Sequence, residues 1–412
     1  MPLDGDETRL CDLIAARRDD LLAQLTRDVA IPTGRGHTRG LDEYRERFAE
    51  RLTALGARID RVQGAPRPAW LDLPGAPRAT EPTPTLVARR PGGPGAPRIL
   101  IVGHLDTVHD PTGSFQELEV SADGQTAVGP GVVDMKGGLV IAINALEVLA
   151  EAATEPGTDV GWTFMLTSDE ETGSFHSDPV LTAEAARHDV GIVLEPALPG
   201  GALALERSGS GQFMIEVHGR SAHAGREFTR GVSAVVELAE VIGKLNALAA
   251  PDEGVVVNVG PLEGGRVTNT VPDHAACWGN VRYPDDARGA RLADAIDALG
   301  TGNVDTLPRV VVRRRWNRPA KPATDPVRRL ADRVRSITED LGGTLSFSST
   351  GGVCDGNILQ AAGLPTLDTL GVCGGNLHRT DEYIDVESLV QRCCLLAVLL
   401  WRLAAAGGGR CE

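Results

Sequence analysis

The run Ile99-Leu-Ile-Val102 carries no polar alternation, and with Arg98 it reads as one short strand. Successive side chains of a strand point to opposite faces, so an all-apolar strand must be covered on both. A mostly parallel sheet with helices on both faces meets that condition. Val160–Thr167 and Val190–Leu194 are two more short apolar strands, and Gly137–Ala150 has helical spacing after a Gly-Gly start. Helical spacing also appears at residues 7–28 and 41–55. The Pro/Gly-rich stretch from Gly64 to Pro84 reads as an irregular loop. Strands alternating with helices predict an α/β domain.

The pattern changes near Ser208. Gln212–His218 alternates like a half-exposed strand, and Gly231–Ala249 is amphipathic. Val255–Val259 and Ala275–Tyr283 follow as strands, then a helix at Asp285–Leu299 and a strand at Arg309–Arg315. The order β-α-β-β-α-β is that of an α+β ferredoxin-like unit. After Pro319 the α/β style returns, with helices at Asp325–Leu341 and from Val386. The expected organisation is a domain of residues 1–207 and 320–412, interrupted by an inserted domain of residues 208–319.

The 412 residues carry a formal charge of −15, which argues against a nucleic-acid partner, since phosphate binding needs a basic face. Arg313-Arg314-Arg315 reads as a solvated strand end. The N-terminus lacks a basic stretch followed by an apolar one, so no secretory signal is expected. No membrane span is expected either: the last apolar run, Cys393 to Ala406, is short, includes Arg402, and reads as a buried helix. Seven scattered cysteines without framework spacing fit free thiols in the cytoplasm.

Five segments with metal-ligating residues follow apolar strands or glycine-rich turns. His104 and Asp106 come directly after the first strand, spaced so that Asp106 can meet the His104 ring. The alternative is a capping Asp beside a buried His. Asp134 lies in a glycine-rich turn before a helix, either as an N-cap or as a carboxylate offered to two ions at once. Glu170 and Glu171 stand in Ser168-Asp-Glu-Glu-Thr172, either as a solvated acidic face or as a metal ligand beside a proton acceptor. Glu195 sits at a buried strand end, paired with an arginine or bound to a metal. His378 is a loop histidine. Two histidines and three carboxylates suit zinc.

The segments GHLDTV, GPGVVDMKGG, SDEETGS, LEP, SAHAG and LHRTDEYID occur in that order. They resemble the zinc metallopeptidase family that includes acetylornithine deacetylase, succinyl-diaminopimelate desuccinylase and aminoacylase, above all its glutamate carboxypeptidase branch. The resemblance implies two Zn2+ ions per subunit, with Co2+ or Mn2+ able to use the same ligands. His104 and Glu195 would bind one ion, Glu171 and His378 the other, and Asp134 would bridge them from a loop with a cis peptide to Met135. Glu170 would be the general base and Asp106 the partner of His104. The inserted domain would be a lid and dimerisation domain, making the protein a homodimer. Its His223 would stabilise an oxyanion, and Asn269, Arg282 and Arg318 would meet a substrate carboxylate. The implied reaction is cleavage of an amide or peptide bond beside a carboxylate-bearing group, with release of an amino acid. The alternatives are an N-acyl amino acid deacylase and a silent homologue, and the latter would lack a ligand or the base. Ala202 and Ala204 replace polar groups of the carboxypeptidase branch. Cys354 and Cys373 are expected in loops that border the site, in packing roles.

Overall fold

The computed structural model describes residues 2–73, 83–93, 95–152, 160–301, 303 and 305–405. Residues 74–82 of the Gly64–Pro84 loop lie outside them. The remainder of that stretch contains a short 3-10 turn, Ala69–Leu71.

A six-stranded main sheet runs in the order Arg58–Val62, Thr85–Arg90, Trp162–Thr167, Ile99–His104, Val190–Val193, Thr366–Leu367. The last four strands are parallel, and the first two join antiparallel at one edge. Ile99–His104 lies inside, with Ile101 opposite Phe164 on one side and Ile192 on the other. Its two faces feed different cores. Ile99 and Ile101 pack into a large cluster with the helices Gly5–Ala16, Arg18–Val29, Thr38–Ala54, Gly137–Ala152, Asp325–Asp340 and Glu387–Ala405. Leu100 and Val102 pack with Val180, Leu181, Ile358 and Leu359 of the helices Asp178–Ala185 and Asp355–Ala361. Coverage on both sides is why the strand has no polar position. Each such side chain contributes about 1.5–3 kcal/mol on burial.

The helix Glu387–Ala405 is long and apolar enough by length and composition to cross a membrane, which amends the expectation that no segment reached that size. It lies in the main core with Leu396, Val398 and Leu400 buried. Arg402 pairs with Glu7 at 2.6 Å and with Asp340 at 2.8 Å.

The second sheet is antiparallel and lies wholly between residues 209 and 318, in the order Val256–Gly264, His274–Tyr283, Gly209–His218, Arg309–Arg318. Helices Ala234–Asn246 and Asp286–Asp297 cover one face, burying Phe213, Ile215, Val217 and Val281 against Leu238, Val241 and Ile296. The other face carries Ser210, Gln212, Asn280 and Arg282, paired across the central strands as Ser210–Arg282 and Gln212–Asn280. The outer strand Val256–Gly264 is largely exposed.

Candidate metal centre

Asp134 faces two histidines with different oxygens. His104 Nε2 lies 3.1 Å from Oδ1, and His378 Nε2 lies 3.5 Å from Oδ2. Glu195 Oε1 is 3.9 Å from His104 Nε2, and Glu171 Oε2 is 3.3 Å from His378 Nε2. The five residues thus form two half-sites that share one carboxylate.

Three of the five candidate ligands are held at or just past the end of a main-sheet strand, and two by a turn or loop. His104 closes its strand. Its Nδ1 lies 2.9 Å from the Asp106 carbonyl oxygen, which leaves Nε2 aimed at Asp134. Asp134 sits in an irregular turn after Gly131, whose φ is 67°, and the Asp134-Met135 peptide is cis. Glu170 and Glu171 open a 3-10 turn after Trp162–Thr167. Glu195 follows Val190–Val193. His378 comes from a loop and is half exposed.

The Asp106 side chain does more than face its histidine. It stands 3.6 Å from His104 Nδ1, while its two oxygens accept from the Glu170 N–H at 3.3 Å and the Glu171 N–H at 3.0 Å. It therefore orients the turn that carries both glutamates.

Glu382 escaped the sequence reading. Its Oε1 accepts from the N–H groups of Val133 at 2.9 Å and Asp134 at 3.0 Å. Its Oε2 accepts from Gly131 N–H at 3.1 Å and lies 2.6 Å from His109 Nε2. One buried carboxylate shapes the whole Asp134 turn. Asp355 has a similar task, accepting from Thr167 Oγ1 at 3.0 Å and from Ser174 Oγ. The only local hint of Glu382 was its place in the same acidic segment as His378.

The electrostatics favour a bound cation. Asp134, Glu170, Glu171 and Glu195 are crowded into a largely dry space. Burial, then the charge of Asp134, pushes Glu195 up to about 8. Burial also raises Glu171 and raises Glu170 well above the carboxylate range, against the pull of Arg318. For Asp134, burial is outweighed by hydrogen bonds with His104 and His378, and its pKa falls. Hydrogen bonds with Asp134 and then Glu171 raise His378 to about 10, against the effect of burial. Oε1 of Glu171 and Oε1 of Glu195 are buried with no hydrogen-bond partner among the described residues. Unpartnered carboxylate oxygens beside two imidazoles are the donor set that a divalent cation takes, and ligand atoms of His104, Asp134 and Glu171 lie within 4.8 Å of one another. The residues fit a metal pair.

Asp134, Glu171, Glu195 and His378 open on a cleft of about 860 Å3, which Ser210, Gln212, Asn280 and Arg282 of the second sheet also line. Gln212 and Asn280 had no motif to reveal them; only the strand pairing turns them inward. Arg282 Nη1 donates to Ser210 Oγ. Arg318 also lines the cleft, but its Nη2 is engaged, 2.7 Å from Glu170 Oε1 and 2.8 Å from the Glu170 carbonyl oxygen. His223 and Asn269 do not border the cleft. They lie together at an exposed two-stranded ladder, in which Ala222–His223 pairs with Thr270–Val271, Ala224 N–H donates to the Asn269 carbonyl at 2.9 Å and Gly225 N–H to His223 Nδ1 at 3.1 Å. Ala202 and Ala204 are buried away from the cleft wall. Cys354 is fully buried and caps the helix Asp355–Ala361. Cys373 Sγ accepts from Arg392 Nη2 at 3.4 Å.

The profile of peptidase family M20/M25/M40 matches residues 100–402. Carboxypeptidase G2 of Pseudomonas sp. (strain RS-16) is 26% identical over 411 residues, 95% of this chain and 94% of that protein. Succinyl-diaminopimelate desuccinylase of Erythrobacter litoralis is 25% identical over 323 residues, 75% of this chain and 81% of that one. Among solved structures, a tripeptidase from Staphylococcus aureus superposes with a TM-score of 0.73 at 22% identity, covering 94% of this chain and 99% of its own. A dinuclear metal binding peptidase from Bacillus subtilis gives 0.64 at 15% identity, over 95% and 99%. With the profile spanning most of its length, the chain belongs to peptidase family M20/M25/M40 and is a hydrolase of peptide or amide bonds.

Proposed function

We propose that the protein is a two-zinc hydrolase that cuts an amide beside a carboxylate-bearing group and releases an amino acid, in the manner of a carboxypeptidase. The observation that carries this reading is Asp134, whose two oxygens each face a different histidine. His104, Glu195 and Asp134 would hold one ion; His378, Glu171 and the other Asp134 oxygen would hold the second. Such a pair supplies Lewis acidity and an acidified water.

The protein's own groups do the rest. Glu170, buried and clamped by Arg318, accepts the proton of the attacking water and returns it to the leaving nitrogen. Asp106 keeps Glu170 in register through its backbone N–H. Arg282, with Asn280 and Gln212, offers donors to the substrate carboxylate end. Arg318 is a positioning residue for the base as much as a carboxylate ligand. His223 and Asn269 would act on substrate contributed across a homodimer or after lid closure. The exposed Phe228, Val235, Val236, Leu262 and Val267 of the second unit support a dimer through that surface. Six free thiols among the described residues suit a reducing compartment such as the cytoplasm.

Glu170→Gln tests the reading. It is expected to bind zinc normally yet lose about three orders of magnitude or more in turnover. Turnover near wild type would remove Glu170 as the base, and fewer than one zinc per chain after loading would overturn the metal pair. N-acyl amino acids assayed beside dipeptides ending in Glu separate carboxypeptidase from deacylase action.

A further inference from the structure

Three side chains of the short segment 104–109 each serve a different part of the candidate centre. His104 closes its strand and faces Asp134. Asp106 accepts from the N–H groups of Glu170 and Glu171. His109 reaches the remaining part, the Asp134 turn, by way of Glu382. Its Nε2 lies 2.6 Å from Glu382 Oε2, and the same carboxylate accepts from the N–H groups of Gly131, Val133 and Asp134.

Neither partner is loosely placed. The His109 side chain is 9% exposed and that of Glu382 1%. The imidazole packs edge-on against Phe115, with ring centroids 5.1 Å apart. The main chain around it is hemmed in. Thr107 N–H donates to the Thr33 carbonyl at 3.1 Å, and a Cβ on Gly34 would lie 1.9 Å from the His109 carbonyl oxygen. A carboxylate only accepts, and it has about four lone-pair directions. Three go to the amides of the turn and His109 takes the fourth, so Nε2 carries the proton. An exposed pair of this kind would contribute little. A buried carboxylate that loses a donor is another matter, because its oxygen is then left unmet away from water. It would rotate or draw in water to recover a partner, and either movement gives up amides that shape the Asp134 turn.

We propose that His109 is a positioning residue, acting through Glu382 on the turn that carries Asp134 and, through that turn, on the metal pair. The role toward the metals rests on the metal-pair reading above, whereas the hold on the turn does not. The hold is tested first, in zinc-free full-length protein, by hydrogen exchange read by mass spectrometry over residues 129–136. His109→Ala is expected to speed that exchange by about tenfold, and unchanged exchange would overturn the proposal. Competition for zinc with a chelator should then show about tenfold weaker binding by His109→Ala. His109→Gln, whose amide can place an N–H near the Nε2 position, should recover most of it. The double variant His109→Ala/Glu382→Gln should bind zinc no more than about threefold more weakly than Glu382→Gln alone, since both changes release the same turn. Losses that multiply instead would overturn the route through Glu382. Should His109→Ala fail to fold, His109→Asn, whose amide falls short of Glu382, is compared with His109→Gln, and equal exchange rates overturn the proposal. A wild type that takes up no zinc, with exchange responding as expected, would count against the metal pair and in favour of the hold on the turn.

Discussion

The two sheets of this protein are used in opposite ways. The main sheet is sandwiched, and its strand Ile99–His104 is buried along its full length. The second sheet is covered on one face only, and its open face, with Ser210, Gln212, Asn280 and Arg282, forms the cleft roof. The difference teaches a division of labour. His104, Glu170, Glu171 and Glu195, four of the six residues proposed as ligands and base, end or follow strands that cannot shift without opening two cores, whereas Asp134 and His378 come from a turn and a loop. Ser210, Gln212, Asn280 and Arg282, proposed to meet the substrate, sit on a sheet face where they can vary without disturbing the core on the other face.

Single substitutions can break that comparison. Ile101→Ala, at the centre of the sandwiched sheet, is expected to cost about 2–5 kcal/mol in a urea titration. A loss below about 1 kcal/mol would mean that the two sheets are equally tolerant. Glu382→Gln probes whether rigidity reaches the ligands. It keeps the size of the side chain but gives up the charge that organises the N–H groups of Gly131, Val133 and Asp134. The expected result is a 10–100-fold weaker hold on zinc, read by competition with a chelator, with little change in melting temperature.

A smaller effect concerns pH. The hydrogen bond from Arg402 holds the Glu7 carboxyl below its ordinary 4.5, against the effect of burial. The stabilisation is therefore complete above pH 4.5 and is lost as pH falls through the lowered value. Glu7→Gln should flatten the acid limb of stability by about 1 kcal/mol, seen as urea midpoints that converge with wild type in acid. Smallest of all, Leu262→Ser on the exposed strand should change monomer stability by less than about 0.5 kcal/mol. The proposed dimer predicts that its effect is seen instead in subunit dissociation measured by sedimentation.

The sandwiched sheet was the easier to read from sequence, for the reason that makes it rigid. Double coverage removes polar positions, so its inner strands stand out, and His104, Glu171 and Glu195 mark their ends. The edge strands Arg58–Val62 and Thr85–Arg90 went unread because RIDRV and TLVARR mix charge into a surface that solvent partly reaches. Glu382, Asp355 and the turn-holding role of Asp106 were illegible because they act on backbone amides, or for Asp355 on hydroxyls, far away in sequence. The inward row of Gln212 and Asn280 depends on register, which no local pattern in those strands specifies.

Glu382 also bears on the order in which the protein can become active during synthesis. His378 and Glu382 follow the whole second sheet and come just before the helix Glu387–Ala405. A chain on the ribosome that has already made His104, Asp134, Glu170, Glu171 and Glu195 still lacks one imidazole and the carboxylate that gives the Asp134 turn its shape. The candidate centre is thus closed only after the whole second sheet has been made, and a chain interrupted before that point is left with the earlier acidic residues but without the means to use them.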